Sequence, residues 1–211
     1  MTLDPFFLIL DLVGIYVFAL SGSIAAARKQ MDLYGSFVLA MVTALGGGII
    51  RDVVLGITPV TALTDPLYLG IAFAGSISVY FLYKFLIRLH FPLRYLDAVG
   101  LGVFTVIGTN VSLSLGVPWP GAVLLGILSG TGGGMIRDTL CLEVPLVLQR
   151  EVYAVAALLG GVFNVMLLQL GAPVNLSAGL SALIITAIRI ISVVKDLHLP
   201  RAVWQTGDSE H

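Results

Sequence analysis

Seven stretches of this 211-residue sequence, at about 6–27, 33–55, 66–89, 92–115, 120–141, 150–170 and 178–197, are apolar for longer than a soluble helix requires. Crossing about 30 Å of hydrocarbon takes roughly 20 helical residues, so each stretch reads as a membrane span. Composition agrees: 58% of the chain is hydrophobic and 11% charged, where soluble domains carry about a quarter charged residues. The connectors hold the punctuation, with Pro59, Asp65-Pro66, Pro92, Pro118, Pro120 and Gly171 to Pro173. Asp65 before Pro66 reads as an N-cap followed by proline in the first helical turn. Such short connectors predict a single transmembrane domain over 1–197 and a short tail over 198–211. No basic segment precedes the first apolar run, so it is expected to be a permanent helix and not a signal peptide. The single cysteine, Cys141, cannot make an internal disulfide or a cysteine-based zinc site. The histidines His90, His198 and His211 are scattered, so neither a structural metal nor a cofactor is expected, and nothing points to nucleic acid.

Orientation follows from lysine and arginine. Numbering the gaps alternately, one side receives Arg28, Lys29, Lys84, Arg88, Arg94, Arg150, Lys195 and Arg201, and the other receives none. Positive loop residues mark the cytoplasmic face, which predicts an outside N-terminus and a cytoplasmic C-terminus. An even number of spans would have mixed the charges.

The sequence also repeats itself. Shifted by 86 residues, Leu10, Asp11, Val13, Gly14, Val17, Phe18 and Gly22 fall on Leu96, Asp97, Val99, Gly100, Val103, Phe104 and Gly108. Gly35, Leu39, Gly46-Gly47-Gly48, Ile50-Arg51-Asp52 and Pro59 fall on Gly121, Leu125, Gly132-Gly133-Gly134, Ile136-Arg137-Asp138 and Pro145. Apolar composition can match leucine or valine by chance, but not Arg-Asp, a proline and a triple glycine in one register. Each copy, about 6–89 and 92–170, holds three spans. Three is odd, so the second copy enters the membrane from the opposite side. The predicted fold is an all-α membrane protein of seven transmembrane helices: two inverted three-helix repeats plus an accessory helix at about 178–197.

Inverted repeats commonly place a substrate or ion path at their interface, built from discontinuous helices. Three contiguous glycines cost helix stability, on the order of 1 kcal/mol each relative to alanine, and non-helical backbone in a membrane is tolerated only beside protein or water. Gly46, Gly47, Gly48, Gly132, Gly133 and Gly134 are therefore expected to kink spans two and five where they line a wet path. The alternative is close packing through small residues, a role that Gly14, Gly22, Gly100 and Gly108 suit better. Thr43, Ser129, Thr131 and Thr139 would add hydroxyl oxygens near the breaks for a partly dehydrated cation, unless they bond their own backbone.

Ionisable groups at membrane depth are costly and point to function. Arg51 and Asp52 are adjacent, hence about 100° apart on a helix and unable to face each other, so their partners are expected elsewhere. With a rise of 1.5 Å per residue, Asp11 and Arg51 share one depth and Asp97 and Arg137 another. Pairs Arg51–Asp11 and Arg137–Asp97 are therefore expected, in preference to Arg51–Asp138. Asp52 and Asp138 would then be the less neutralised charges, able to attract transient monovalent cations; the alternative is that all four carboxylates only balance arginines and cap helices. Arg189 sits mid-span without an acidic neighbour in its helix. Asn164 and Gln169 read as interhelical glue, Glu143 and Glu151 as solvated, and Lys84, Arg88 and Arg94 as topology signals that could also hold anionic lipid.

The duplicated Gly-Gly-Gly-x-x-Arg-Asp in a three-plus-three-plus-one arrangement, with Phe18 to Gly22 and Ala25 to Lys29, resembles the prokaryotic trimeric intracellular cation channels over about residues 5–197. The resemblance implies a homotrimer in the bacterial inner membrane whose subunits each carry a pore for potassium and other monovalent cations, sodium included, lined by spans two and five bent at their glycines. Vertebrate members carry a Lys-Glu-Val motif linked to phosphoinositide binding, and this sequence has none. Bacterial sequences with this duplicated domain have also been described as glycine transporters. Two functions therefore stand: a passive monovalent cation channel, or a secondary transporter of a small amino acid such as glycine. An enzyme is not expected, since no motif sets a nucleophile beside a base and the glycine runs lack the Lys-Ser/Thr of a P-loop.

Overall fold

In the computed structural model the described residues are 4–88, 93–149 and 151–196, with the side chains of 84–88 and 151 excepted. The expectations for His90, His198, His211, Arg150, Arg201 and the tail 198–211 fall outside them, as do those for the side chains of Lys84, Arg88 and Glu151.

Helix ends follow local chemistry. Asp4 caps α1 (Pro5–Arg28) by accepting the Phe6 amide at 2.8 Å, and Asp32 caps α2 (Leu33–Leu55) by accepting the Gly35 amide at 2.7 Å. α2 closes on Gly56, whose φ of 70° is one that glycine adopts at no steric cost. After a single turn, α3 (Thr61–Thr64), Asp65 accepts the Leu67 amide at 2.8 Å and opens α4 (Pro66–Arg88) as the sequence predicts. The second half repeats this order: α5 (Leu93–Ser114), α6 (Trp119–Leu140), the turn α7 (Leu146–Gln149) and α8 (Glu151–Gln169). α9 (Val174–Val194) follows. Seven of these helices are long and apolar enough to cross a membrane.

Two details differ from the sequence reading. α9 starts at Val174 and not near 178, because its polar first turn of Asn175 and Ser177 masks the start of the apolar run. The short turns α3 and α7 were not anticipated. They lie 85 residues apart, not 86, so the second copy is one residue shorter after its proline.

α2 and α6 pack against each other at the centre, α1 and α4 flank α2, and α5 and α8 flank α6. α9 packs on α5 and α8. That cover makes α5 the most enclosed helix, with 78% of its apolar window buried against 44% for its repeat mate α1. Among the described residues no eighth long helix covers α1 as α9 covers α5, and Ile9 and Val13 on that helix remain exposed. Asn175 bonds Asp4 at 3.3 Å, tying the starts of α9 and α1 together at one end of the bundle. At the other end Arg28, Lys29, Arg94, Glu143 and Val194 surround one cavity, so alternate connectors do emerge on the same side.

Candidate functional site

The two glycine triplets meet where α2 and α6 cross. A methyl carbon added at Gly47 would collide with the Ser129 carbonyl oxygen, and one added at Gly133 with the Thr43 carbonyl oxygen. These contacts are related by the 86-residue repeat, so each motif packs against the other copy. Both helices run as unbroken α-helix through the triplets. The triplets Gly46, Gly47, Gly48 and Gly132, Gly133, Gly134 therefore do not interrupt either helix as a break would: at the middle glycine of each, the missing side chain lets two backbones meet. Only the middle glycine of each triplet meets backbone within collision distance. Gly48 has open space up to an Arg51 nitrogen at 3.9 Å, and Gly46 meets the flexible tip of Ile136 at 2.8 Å. Gly14, Gly22, Gly100 and Gly108 serve packing too, against Val103 and Phe104, Leu39 and Ala40, Phe18, and Gly126 with Ser129 respectively.

The hydroxyls near the crossing are mostly occupied locally. Thr43 donates to the Leu39 carbonyl at 2.6 Å and Thr139 to the Met135 carbonyl at 2.8 Å, the helix back-bonding that competes with ion coordination. Ser129 is fully buried and its hydroxyl has no hydrogen-bond partner among the described residues. Thr131 lies buried beside Asp97, Arg137 and Tyr153.

The intramembrane charges form two related clusters. In repeat two, Arg137 bonds Asp97 at 3.0 Å, the Ser21 hydroxyl at 2.6 Å and, through Nε, Asp138 at 2.8 Å. The depth arithmetic placed Asp97 opposite Arg137, and there it stands. In repeat one, Arg51 holds Asp52 through Nε at 2.8 Å and through Nη2 at 2.6 Å. Asp11 lines the same recess as Arg51 and interacts with it electrostatically, but among the described residues no direct ion pair closes between them, so the expected depth match holds and the expected direct contact does not. Both arginines reach the adjacent aspartate, contrary to the expectation from the 100° separation. The long side chain sweeps round the helix circumference and cancels the offset between the two Cβ directions. Asp52 and Asp138 are consequently the wrong candidates for loose charge. Each accepts its arginine on Oδ1 and a backbone amide on Oδ2, from Thr61 at 2.8 Å and Leu146 at 3.0 Å. The turns α3 and α7 exist to bring those amides in.

Sequence reasoning missed two tyrosines. Tyr68 faces Asp11 and Tyr153 faces Asp97, and Arg189 of α9 sets its guanidinium over the Tyr153 ring at 4.6 Å from the centroid. Arg189, which the sequence left without a role, thus joins the repeat-two cluster. Asn164 is buried and neither of its amide atoms has a hydrogen-bond partner among the described residues, so the expected interhelical bond is not formed there; Gln169 is exposed.

Recesses lie at both ends. Asp11, Arg51, Asp52, Thr61 and Tyr68 wall a small one of about 20 Å³. At the opposite end a cavity of about 610 Å³ is bounded by Arg28, Lys29, Arg94, Asp138, Cys141 and Glu143. Glu143 is exposed but not free, since it pairs with Lys29 at 2.8 Å, and the hydrogen bond to Glu143 holds the Lys29 ammonium above the usual lysine value. Burial, seconded by the Glu143 charge, pushes the Cys141 thiol up. Among the described residues no group of His, Cys, Asp and Glu gathers to hold a metal ion.

Comparison with known proteins follows the repeat. The family described as glycine transporter matches residues 8–84 and 94–169, one stretch per copy. The chain is 42% identical to the UPF0126 membrane protein of Vibrio cholerae over 164 residues, covering 77% of this chain and 69% of that protein. It is 38% identical to the UPF0126 inner membrane protein YadS of Escherichia coli K12 over 193 residues, 90% of this chain and 93% of that one. A solved TRIC cation channel superposes with a TM-score of 0.85 at 37% identity, covering 98% of this chain and 100% of the other. The TRIC trimeric intracellular cation channel orthologue from Rhodobacter sphaeroides superposes with a TM-score of 0.86 at 37% identity, covering 92% and 100%.

Proposed function

The chain belongs to the bacterial family of trimeric intracellular cation (TRIC) channels, and from that premise we propose that it is a monovalent cation channel of the inner membrane, permeable to potassium and sodium and assembled as a homotrimer with a path inside each subunit. The N-terminus lies outside and the C-terminus in the cytoplasm, as the lysine and arginine distribution indicates. One observation carries the mechanism: the Asp11 recess and the Asp138 cavity lie at opposite ends of the bundle, with the α2–α6 crossing between them. The path we infer runs along those two helices. Their glycine-mediated contact closes it in this conformation, and conduction requires the helices to part. This replaces a permanent gap at broken helices with a contact that opens.

The family's description as glycine transporter favours a second reading, uptake of a small zwitterion. A carrier of that kind holds a carboxylate at the N-terminus of a half-helix within the membrane. Unbroken α2 and α6 offer no such ends, which weighs toward the channel. Purified protein in liposomes separates the two. A potassium gradient alone should drive dye-reported flux that does not saturate at carrier-like rates. Saturable glycine uptake without cation conductance would reverse the assignment.

A further inference from the structure

The repeats carry the same charged residues but different totals. In repeat two, Asp97 and Asp138 face Arg137, and Arg189 over the Tyr153 ring supplies a second positive charge, so two acids meet two bases. In repeat one, Asp11 and Asp52 face Arg51, and among the described residues α4, which packs on α1, brings no second base to the cluster. Arg51 bonds Asp52 directly and reaches Asp11 only through space, so two acids share one base and the excess negative charge falls on the Asp11 side. Uncompensated charge at membrane depth is costly, so solution must supply what the chain does not.

Space differs in the same sense. Around Asp97 the pocket is filled, with a volume of about 0 Å³. Beside Asp11 it is about 20 Å³, where one water needs roughly 10–15 Å³. The side-chain oxygens available there are those of Asp11, Asp52, Thr61 and Tyr68, and Gly48 leaves its part of the wall bare. We propose that this recess binds one monovalent cation, held by the Asp11 carboxylate and the Tyr68 hydroxyl, as the outermost station of the path. The site deepens the channel reading and rests on it for its role in conduction; its charge and volume stand independently.

The test reads binding apart from flux. Purified wild-type protein is unfolded by heat in potassium chloride and in N-methylglucamine chloride at equal ionic strength. The midpoint should be higher in potassium and climb with its concentration, as ligand linkage requires. Asp11→Asn and Tyr68→Phe should each lose that dependence, and Glu143→Gln should keep it. Tyr68→Phe decides the matter if Asp11→Asn does not fold. A wild-type midpoint indifferent to the cation overturns the site, as does a dependence that survives both substitutions. A midpoint that moves with pH in wild type alone, equally in both salts, assigns the recess to a proton and overturns it too. Liposome flux is measured alongside. Conduction without potassium-dependent stabilisation sinks the site and spares the channel, whereas stabilisation without conduction supports the site and sinks the channel.

Discussion

Gly47→Ala and Gly48→Ala, one residue apart on α2, should part company. Both gain helix propensity, about 1 kcal/mol for alanine over glycine, so that contribution cancels when the two variants are compared. What remains is contact. The Gly47 methyl would overlap the Ser129 carbonyl oxygen, an atom of another helix's backbone that has no rotamer to escape into, whereas at Gly48 nothing lies closer than 3.9 Å. Forcing such overlap costs about 1–3 kcal/mol, and that is the expected gap in unfolding free energy between the two. Gly133→Ala repeats the experiment from the other copy, against the Thr43 carbonyl, and should behave like Gly47→Ala. The double variant should cost less than the sum of the singles, since both act on one crossing. Denaturation in detergent supplies the energies and potassium flux in liposomes the consequence. Because the added methyl wedges apart the contact proposed to shut the path, Gly47→Ala should raise flux. If the triplet were instead a flexible break, alanine at either position would stiffen it alike. Equal stability and equally reduced flux in the two variants would refute the packing argument.

Three further outcomes are expected. Burial and the Glu143 charge raise the Cys141 thiol, so a membrane-impermeant maleimide should label it slowly at pH 7 and faster as pH climbs past about 8.5; labelling of intact cells before the membrane is opened would contradict the proposed orientation. Lys29 bonded to Glu143 has a raised value, so its contribution is present below about pH 10.4 and fades as pH rises through the higher folded value. Glu143→Gln should unfold slightly below wild type at pH 7, where the exposed pair is intact, and the two should converge in thermal unfolding as pH passes the raised Lys29 value. Arg189→Gln should destabilise by about 3–5 kcal/mol, the cost of removing one partner from a buried charge cluster. Adding Asp97→Asn should recover part of that in a double-mutant cycle, and strict additivity would detach Arg189 from the cluster.

The spans and the duplication were legible because they depend on length, hydropathy and identity, which survive without coordinates. The Arg137–Asp97 pair was legible because rise per residue fixes depth. The adjacent Arg–Asp pairs were not, since Cβ direction says little about where a long guanidinium arm ends. Tyr68 and Tyr153 escaped for a more specific reason. In the register of 86, Tyr68 falls on Ala154, and only the one-residue deletion after Pro145 restores it to Tyr153; the same slip hid Thr61 opposite Leu146 and with it the turns that clamp Asp52 and Asp138. The glycine triplets misled because contiguity suggests a break, while the fold uses the middle residue of each for contact and leaves Gly48 facing a recess.

Near-symmetry makes the differences between the copies informative. Arg137 has Asp97, Asp138 and Ser21 as partners and is fully buried, while Arg51 has Asp52 and lies beside an open recess. The repeat places Ile107 where Ser21 stands, so repeat one lacks the hydroxyl that would fasten Arg51 in the same way. α9 adds cover and Arg189 to repeat two alone. These differences brace Arg137 and Asp97 more firmly than Arg51 and Asp11, although Asp138 itself borders the larger cavity. The same groups that cross-brace one end of the bundle are therefore left able to exchange partners at the other. Arg137 ties α6 to α5 through Asp97 and to α1 through Ser21, whereas the Arg51–Asp52 bonds stay within α2, so a shift of α2 costs no arginine bond while a shift of α6 costs two.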